Sequence, residues 1–290
     1  MSTFINTNLN ENGIKGFIKH NPLISMYIIM FVVAWSVMVP QALYSQGILS
    51  ASIPEFFEIL IGWAPAIGAI IVSVVIAGRA GVRELLQRFL IWRVGLRWYL
   101  IGAFLLAAII LGGIGLHVLF GGVMPTIPAA EKPLWQTALI FLVFVLLGFL
   151  SNTEEVAWRG FALPRLQSRY GVLITALLIT IPEVLLHLPL FWTNENPFFQ
   201  TVGVYWFSAF SMAAVIVYIY VFNMTKGSLL IVTLLHASQN TWANLLSDNS
   251  LRPFQFTVIL IWIIALALIA VTRGRLGYQP AEYSVEMMQA

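Results

Sequence analysis

The sequence predicts an all-α fold: a polytopic helical membrane protein with about eight transmembrane helices in one bundle. Composition supplies two of the reasons. Of the 290 residues, 60% are hydrophobic and only 9% are charged, with a mean hydropathy of +0.89, whereas soluble domains carry about a quarter charged residues. Spacing supplies the third. Crossing the hydrocarbon core takes about 20 apolar residues, and such stretches recur at 23–45, 57–77, 98–120, 134–153, 172–192, 201–223, 228–246 and 254–272.

Basic residues set the direction of each span, because cytoplasmic connections retain an excess of Lys and Arg. Lys15, Lys19, Arg79, Arg83, Arg88, Arg93, Arg97, Arg159, Arg165, Arg169, Lys226, Arg273 and Arg275 fall on alternate connections and the two tails. Only Lys132 and Arg252 fall on the other side. An even number of spans with both termini cytoplasmic satisfies that bias. The chain then divides into a cytoplasmic N-terminal tail at 1–22, transmembrane helices at 23–125, a second membrane domain at 130–272 and a cytoplasmic C-terminal tail at 273–290. The first tail is polar and lacks the charged start and cleavage site of a secretory signal, so it is expected to be retained.

Between the second and third spans, residues 78–97 are basic, with Leu85, Leu86, Phe89 and Leu90 at helical spacing. They read either as an amphipathic helix on the inner leaflet, drawn by anionic headgroups, or as a solvated loop that fixes topology. Gly112, Gly113 and Gly115 in the third span suit close helix packing. The absence of cysteine excludes disulfides and thiolate metal sites. The lipid bilayer is the one partner composition implies, and nothing in it points to nucleic acid.

Most acidic residues fall in tails or at membrane edges. Glu154, Glu155, Glu183, His187, His236 and Asn240 do not. Ionisable groups within a membrane cost roughly 2.5–3.5 kcal/mol each on insertion scales and are functional candidates with expected partners. If "TEEVAWRG" is helical, Glu155 and Arg159 share a face four residues apart and pair. Glu154 is rotated about 100° away, so one carboxylate is neutralised and its neighbour is left for other work. The competing reading is an interfacial Glu–Arg cluster that only orients the helix end.

Arg169-Tyr170-Gly171 reads as a tight turn, with a kink or break at Pro164. Glu154 and His187 then lie roughly 24–26 Å from it on two antiparallel helices, which places them at one level, inside the membrane but nearer the inner side. His236 and Asn240, four apart on the seventh span, share a face at a compatible depth, roughly 15 Å above Lys226. Pro182 and Pro189 bracket His187, so local unwinding is expected there.

A glutamate and a histidine holding one water form a general-base pair able to attack a carbonyl. A second histidine with an amide four residues on supplies donors for an oxyanion. That set would make a peptide hydrolase without a covalent nucleophile. Two other chemistries remain open on residue types alone. Glu154, His187 and His236 form a plausible His₂Glu zinc set with an open fourth position, although HExxH spacing is absent. A serine nucleophile is weaker: Ser238 falls on the wrong face, and Ser151 has no base in view.

The order EExxxR (Glu154, Glu155, Arg159), G-F-x-L-P-R-L from Gly160, His187, and HxxxN (His236, Asn240) resembles the CPBP family. These are membrane proteins related to the type II CAAX prenyl endopeptidase and to bacteriocin-processing and self-immunity proteins. The similarity is strongest over 134–244 and extends upstream to "RELLQRFLIWRVGLRWY". It implies an intramembrane glutamic endopeptidase, without metal or cofactor, whose active site opens towards the cytosolic side. By motif position Glu154 and His187 would be catalytic, activating the water, while His236 and Asn240 would line the oxyanion site. Glu155 and Arg159 would support them and balance charge. The second motif departs from the family, which has an aromatic residue where this chain has Glu183. That side chain is expected either to line a water-exposed cytoplasmic entrance or to act as a second carboxylate coupled to His187.

The expected substrate is a membrane-anchored protein or peptide, or a precursor's leader, in a bacterial plasma membrane. The alternatives are a non-catalytic membrane scaffold or bacteriocin self-immunity protein of the same fold and, less well matched, a proton-coupled transporter using the same buried groups.

Overall fold

The computed structural model describes residues 13–151, 153–194 and 196–279. The outer parts of the tails expected at 1–22 and 273–290 fall outside them. The described residues form helices and turns. A short helix α1 (Ile14–His20) leads into α2 (Pro22–Ser45), followed by α3 (Ile59–Gln87), α4 (Leu96–Leu119) and α5 (Leu134–Ser151). After a break at Thr153 come a π-helix (Val156–Ala162) and the short α6 (Leu163–Gln167). Helices α7 (Val172–His187), α8 (Pro197–Met224), α9 (Leu229–Leu246) and α10 (Leu251–Val271) complete the bundle.

Seven helical stretches among the described residues are long and apolar enough to cross a membrane. The eight expected spans include one more, 228–246, which corresponds to α9. Its His236, Gln239, Asn240 and Asn244 keep it out of that set. This polar helix is nonetheless central: it packs on α4, α5 and α8, while α4 and α8 pack on α10, and α2 lies along α3. The chain is therefore a multi-pass helical membrane protein whose most polar helix is shielded by its neighbours, as the cost of polar groups in lipid requires.

The basic segment 78–97 is not one continuous surface helix. Gly78 takes a left-handed conformation (φ 59°) that only glycine adopts cheaply, and it bends α3 sharply before Arg79. Beyond the bend, Leu85 is buried and Phe89 packs on the core, whereas Leu86 and Leu90 are exposed. Half of the expected apolar face thus docks on the bundle.

Two of the three glycines of the third span do bring helices together. A Cβ at Gly112 would stand 2.9 Å from Leu260 Cδ1, and one at Gly113 would overlap Thr257 Oγ1 and reach 2.9 Å from Pro253 O. Gly115 faces open space. We expect Gly113→Ala to force α4 from α10 and lower stability by about 1–3 kcal/mol, read as a drop in the unfolding midpoint in detergent. Gly115→Ala is the silent control.

Proline shapes the elements that carry the polar residues. Pro65 sits inside α3, and one turn of backbone there is shared with the break after α5. The Thr153 hydroxyl and amide both donate to Gly62 O (2.8 and 3.1 Å), and Ala66 N donates to Thr153 Oγ1 (3.3 Å). Pro182 removes the amide that would bond Leu178 O, and the Tyr27 hydroxyl takes that place at 3.5 Å. Helix α7 therefore continues through Pro182 and ends at His187, where a 3₁₀ turn containing Pro189 (Leu188–Trp192) begins.

Candidate active site

The break at Thr153 fixes where Glu154 and Glu155 point. One turn on, Trp158 Nε1 donates to Glu154 Oε2 (3.1 Å), and Arg159 Nη1 donates to Glu155 Oε1 (3.1 Å). The two adjacent carboxylates thus have separate partners on one short helix. From Val156 the coil is π rather than α, a rare form concentrated at functional sites. The expected α-helical spacing holds only over this first turn.

The turn at 168–171 folds α7 back alongside, and His187 Nε2 comes to 3.8 Å from Glu154 Oε1. His187 Nδ1 lies 2.8 Å from the backbone carbonyl of Glu183. A carbonyl only accepts, so Nδ1 carries the proton and neutral His187 turns the Nε2 lone pair to the Glu154 side. From α9, His236 Nδ1 meets Glu155 Oε1 at 2.8 Å. Glu155, only 1% exposed, is therefore shared between Arg159 and His236.

The Glu183 side chain is only 15% exposed and reaches towards the buried arginine, its Oε2 lying 3.6 Å from Arg159 Nη1. It is coupled to the buried arginine, and its hydrogen bond to His187 is made by the backbone carbonyl. The cause is helical geometry: the i,i+4 contact with His187 is made by the carbonyl, while the side chain reaches across to the π-helix.

Several partners were not legible in the sequence. Tyr218 stacks its ring under the Arg159 guanidinium (4.6 Å), meets the His236 ring edge-on, and donates to Gln239 Oε1 (3.1 Å). It lies in an apolar run where only its hydroxyl was a signal. Trp158 was readable, being one turn from Glu154. Ser151 donates to Leu147 O, and Ser238 is buried.

Glu154, Glu155, Arg159, Glu183, His187, His236 and Asn240 all line one cavity of about 630 Å³, within the range of about 300–1,000 Å³ usual for ligand sites. Its apolar wall includes Leu106, Ile110, Phe199, Phe207 and Phe254. Asn240 is exposed to it.

Thr153 is docked on the first turns of α3 and His187 ends α7, while His236 stands in the first half of α9 and Tyr218 near the end of α8, so the site sits between the two ends of the bundle. The cavity continues from there away from the basic connections, to Pro125, Asn196 and Asp248. A cytosolic opening and cytoplasmic placement of the basic connections therefore do not both hold.

The family description "Type II CAAX prenyl endopeptidase Rce1-like" matches residues 133–242, from the start of α5 to Trp242 of α9. Over this segment the chain is similar to that family. The CAAX prenyl protease 2 of Methanococcus maripaludis is 34% identical over 92 residues, covering 32% of this chain and 34% of that relative. The chain thus matches about a third of the length of the curated relative. The Rce1-like segment contains every candidate site residue named above. The cavity walls from α4 and α10 lie outside it.

Proposed function

We propose that this chain is an intramembrane peptidase that hydrolyses a peptide bond of a membrane-associated protein or peptide, using water activated by Glu154 and His187. The observation that carries the reading is the facing pair Glu154 Oε1 and His187 Nε2, 3.8 Å apart. That gap is too long for a direct hydrogen bond and suits a water touching both groups. Such a water gives its protons to two acceptors and turns an oxygen lone pair to the carbonyl carbon. One proton passes to the pair as the C–O bond forms and then to the amide nitrogen as the C–N bond breaks.

His236 and Asn240 are the candidate oxyanion donors. His236 already donates from Nδ1 to Glu155, so donation from Nε2 as well requires the imidazolium, whose charge Glu155 offsets. Arg159 holds Glu155 in place, which is a supporting role. We read the mechanism as metal-free. His236, which a His₂Glu zinc set would need, is engaged with Glu155.

The test compares peptide termini in host cells lacking the protein and complemented with wild type or Glu154→Gln at matched membrane levels. We expect a set of new termini with wild type alone. Identical termini with both, together with restored phenotype, would replace this reading by a scaffold or self-immunity protein of the same fold.

A further inference from the structure

The cavity is lined from one end of each helix that builds it and stops short of the other end. From α4 come Leu106, Ile110 and Ile114, and from α9 only residues from His236 onward. From α8 the lining runs from Pro197 to Tyr218, and from α10 it stops at Thr257. No residue of 79–105, 160–182, 219–235 or 258–275 takes part. The space reaches the surface where Asn196, Pro197, Asn244 and Asp248 are exposed. This is the end of the bundle that carries the connections 46–58, 120–133, 193–194 and 247–250.

Charge separates the two ends. The described connections at the cavity end hold Glu55, Glu58, Glu131 and Asp248, with Lys132 beside them and Arg252 at the start of α10. The opposite end holds Arg79, Arg83, Arg88, Arg93 and Arg97, Arg165 and Arg169, Lys226, and Arg273 and Arg275. Some of these are fixed there by packing: Arg88 lies over the Phe222 ring, and Arg165 donates to Phe161 O. Short connections rich in Lys and Arg stay in the cytoplasm. The bias here runs one way at every connection.

We infer that the cavity opens on the extracytoplasmic face, and that its occupant is an apolar segment of a peptide or membrane-anchored protein presented from outside. This rests on the peptidase reading for the nature of the occupant, but not for the direction of the mouth. Phe198, Phe199, Phe207 and Phe254 line the route from the mouth, which favours aliphatic or aromatic side chains over charged ones. Glu154 and His187 stand at its deep end. A cytosolic chain terminus has no path to them except through the basic half of the bundle, where the helices are closed on Trp158, Phe161, Phe222 and Leu229, all essentially without exposure.

The chain has no cysteine, so single cysteines report position without background. Asp248→Cys marks the mouth, and Ser168→Cys marks the turn at the opposite end. Cells or spheroplasts with an intact cytoplasmic membrane are treated with a membrane-impermeant maleimide, then lysed and treated again. We expect Asp248→Cys to be labelled before lysis and Ser168→Cys only after it. The reverse pattern, labelling of both before lysis, or labelling of Asp248→Cys only after lysis would each overturn the inference. Asn196→Cys, on a different connection at the same end, repeats the test if the Asp248 variant does not accumulate. The occupant is tested separately by mapping the termini that depend on Glu154. Cleavage within extracytoplasmic or outer-leaflet segments supports the assignment, and cleavage within cytoplasmic segments overturns it. An outward mouth with no Glu154-dependent termini would leave the direction standing and remove the peptidase reading and its occupant.

Discussion

Arg159→Met will destabilise the folded protein by about 3–5 kcal/mol, the usual cost of removing one partner from a buried ion pair. Arg159 is 2% exposed and serves two carboxylates, Glu155 at 3.1 Å and Glu183 at 3.6 Å. Methionine keeps an unbranched side chain in the space, so the loss reports charge more than volume. The two carboxylates are not equivalent afterwards. Glu155 still accepts from His236 Nδ1 at 2.8 Å, whereas Glu183 Oε2 has no hydrogen-bond partner among the described residues. Adding Glu183→Gln to Arg159→Met will therefore restore more stability than adding Glu155→Gln. Unfolding midpoints of the single and double variants in one detergent give the comparison. A single-variant loss of no more than about 0.5 kcal/mol, the range of a neutral surface change, would mean that both carboxylates are held protonated, and that Arg159 is not their counter-ion.

The helices were legible because membrane crossing imposes length and apolarity on each of them, and the hairpin meeting of Glu154 and His187 followed from counting residues on either side of Tyr170. The pairing of Glu155 with Arg159 needed only one helical turn. What the sequence hid has a common cause. Tyr218 reaches the site from α8, and Gly62 and Ala66 of α3 hold Thr153 from 91 and 87 positions away; no periodicity within one helix encodes a contact between two. The contact of Glu183 with Arg159 was hidden for the same reason, since the two lie on different elements. The π-coil at 156–162 left no mark in composition, and neither did the bend at Gly78, which one glycine among several does not announce.

Glu154→Gln and His187→Ala will each lower the rate of peptide cleavage by about 10²–10⁴, the usual contribution of a positioned general base. The double variant will be no slower than the poorer single one. Groups that act on one water act as a unit, and removing either removes the step. The side-chain amide introduced by Glu154→Gln still offers an oxygen to Trp158 Nε1, the donor that holds Glu154 at 3.1 Å, so the loss should come without unfolding. His236→Ala is expected to behave differently. Its place is on Glu155, not on the Glu154–His187 pair, and loss of an oxyanion donor costs about 10²–10³ by a separate route. Combined with Glu154→Gln it should give a rate below either single variant. The measurement is the initial rate of cleavage of one Glu154-dependent peptide by purified variants at equal concentration. Losses that multiply for Glu154 and His187 would show that they do not share a water. Losses that fail to deepen when His236 joins Glu154 would place His236 in the same unit, holding Glu155 and Arg159 in register beneath the general base and donating nothing to the oxyanion.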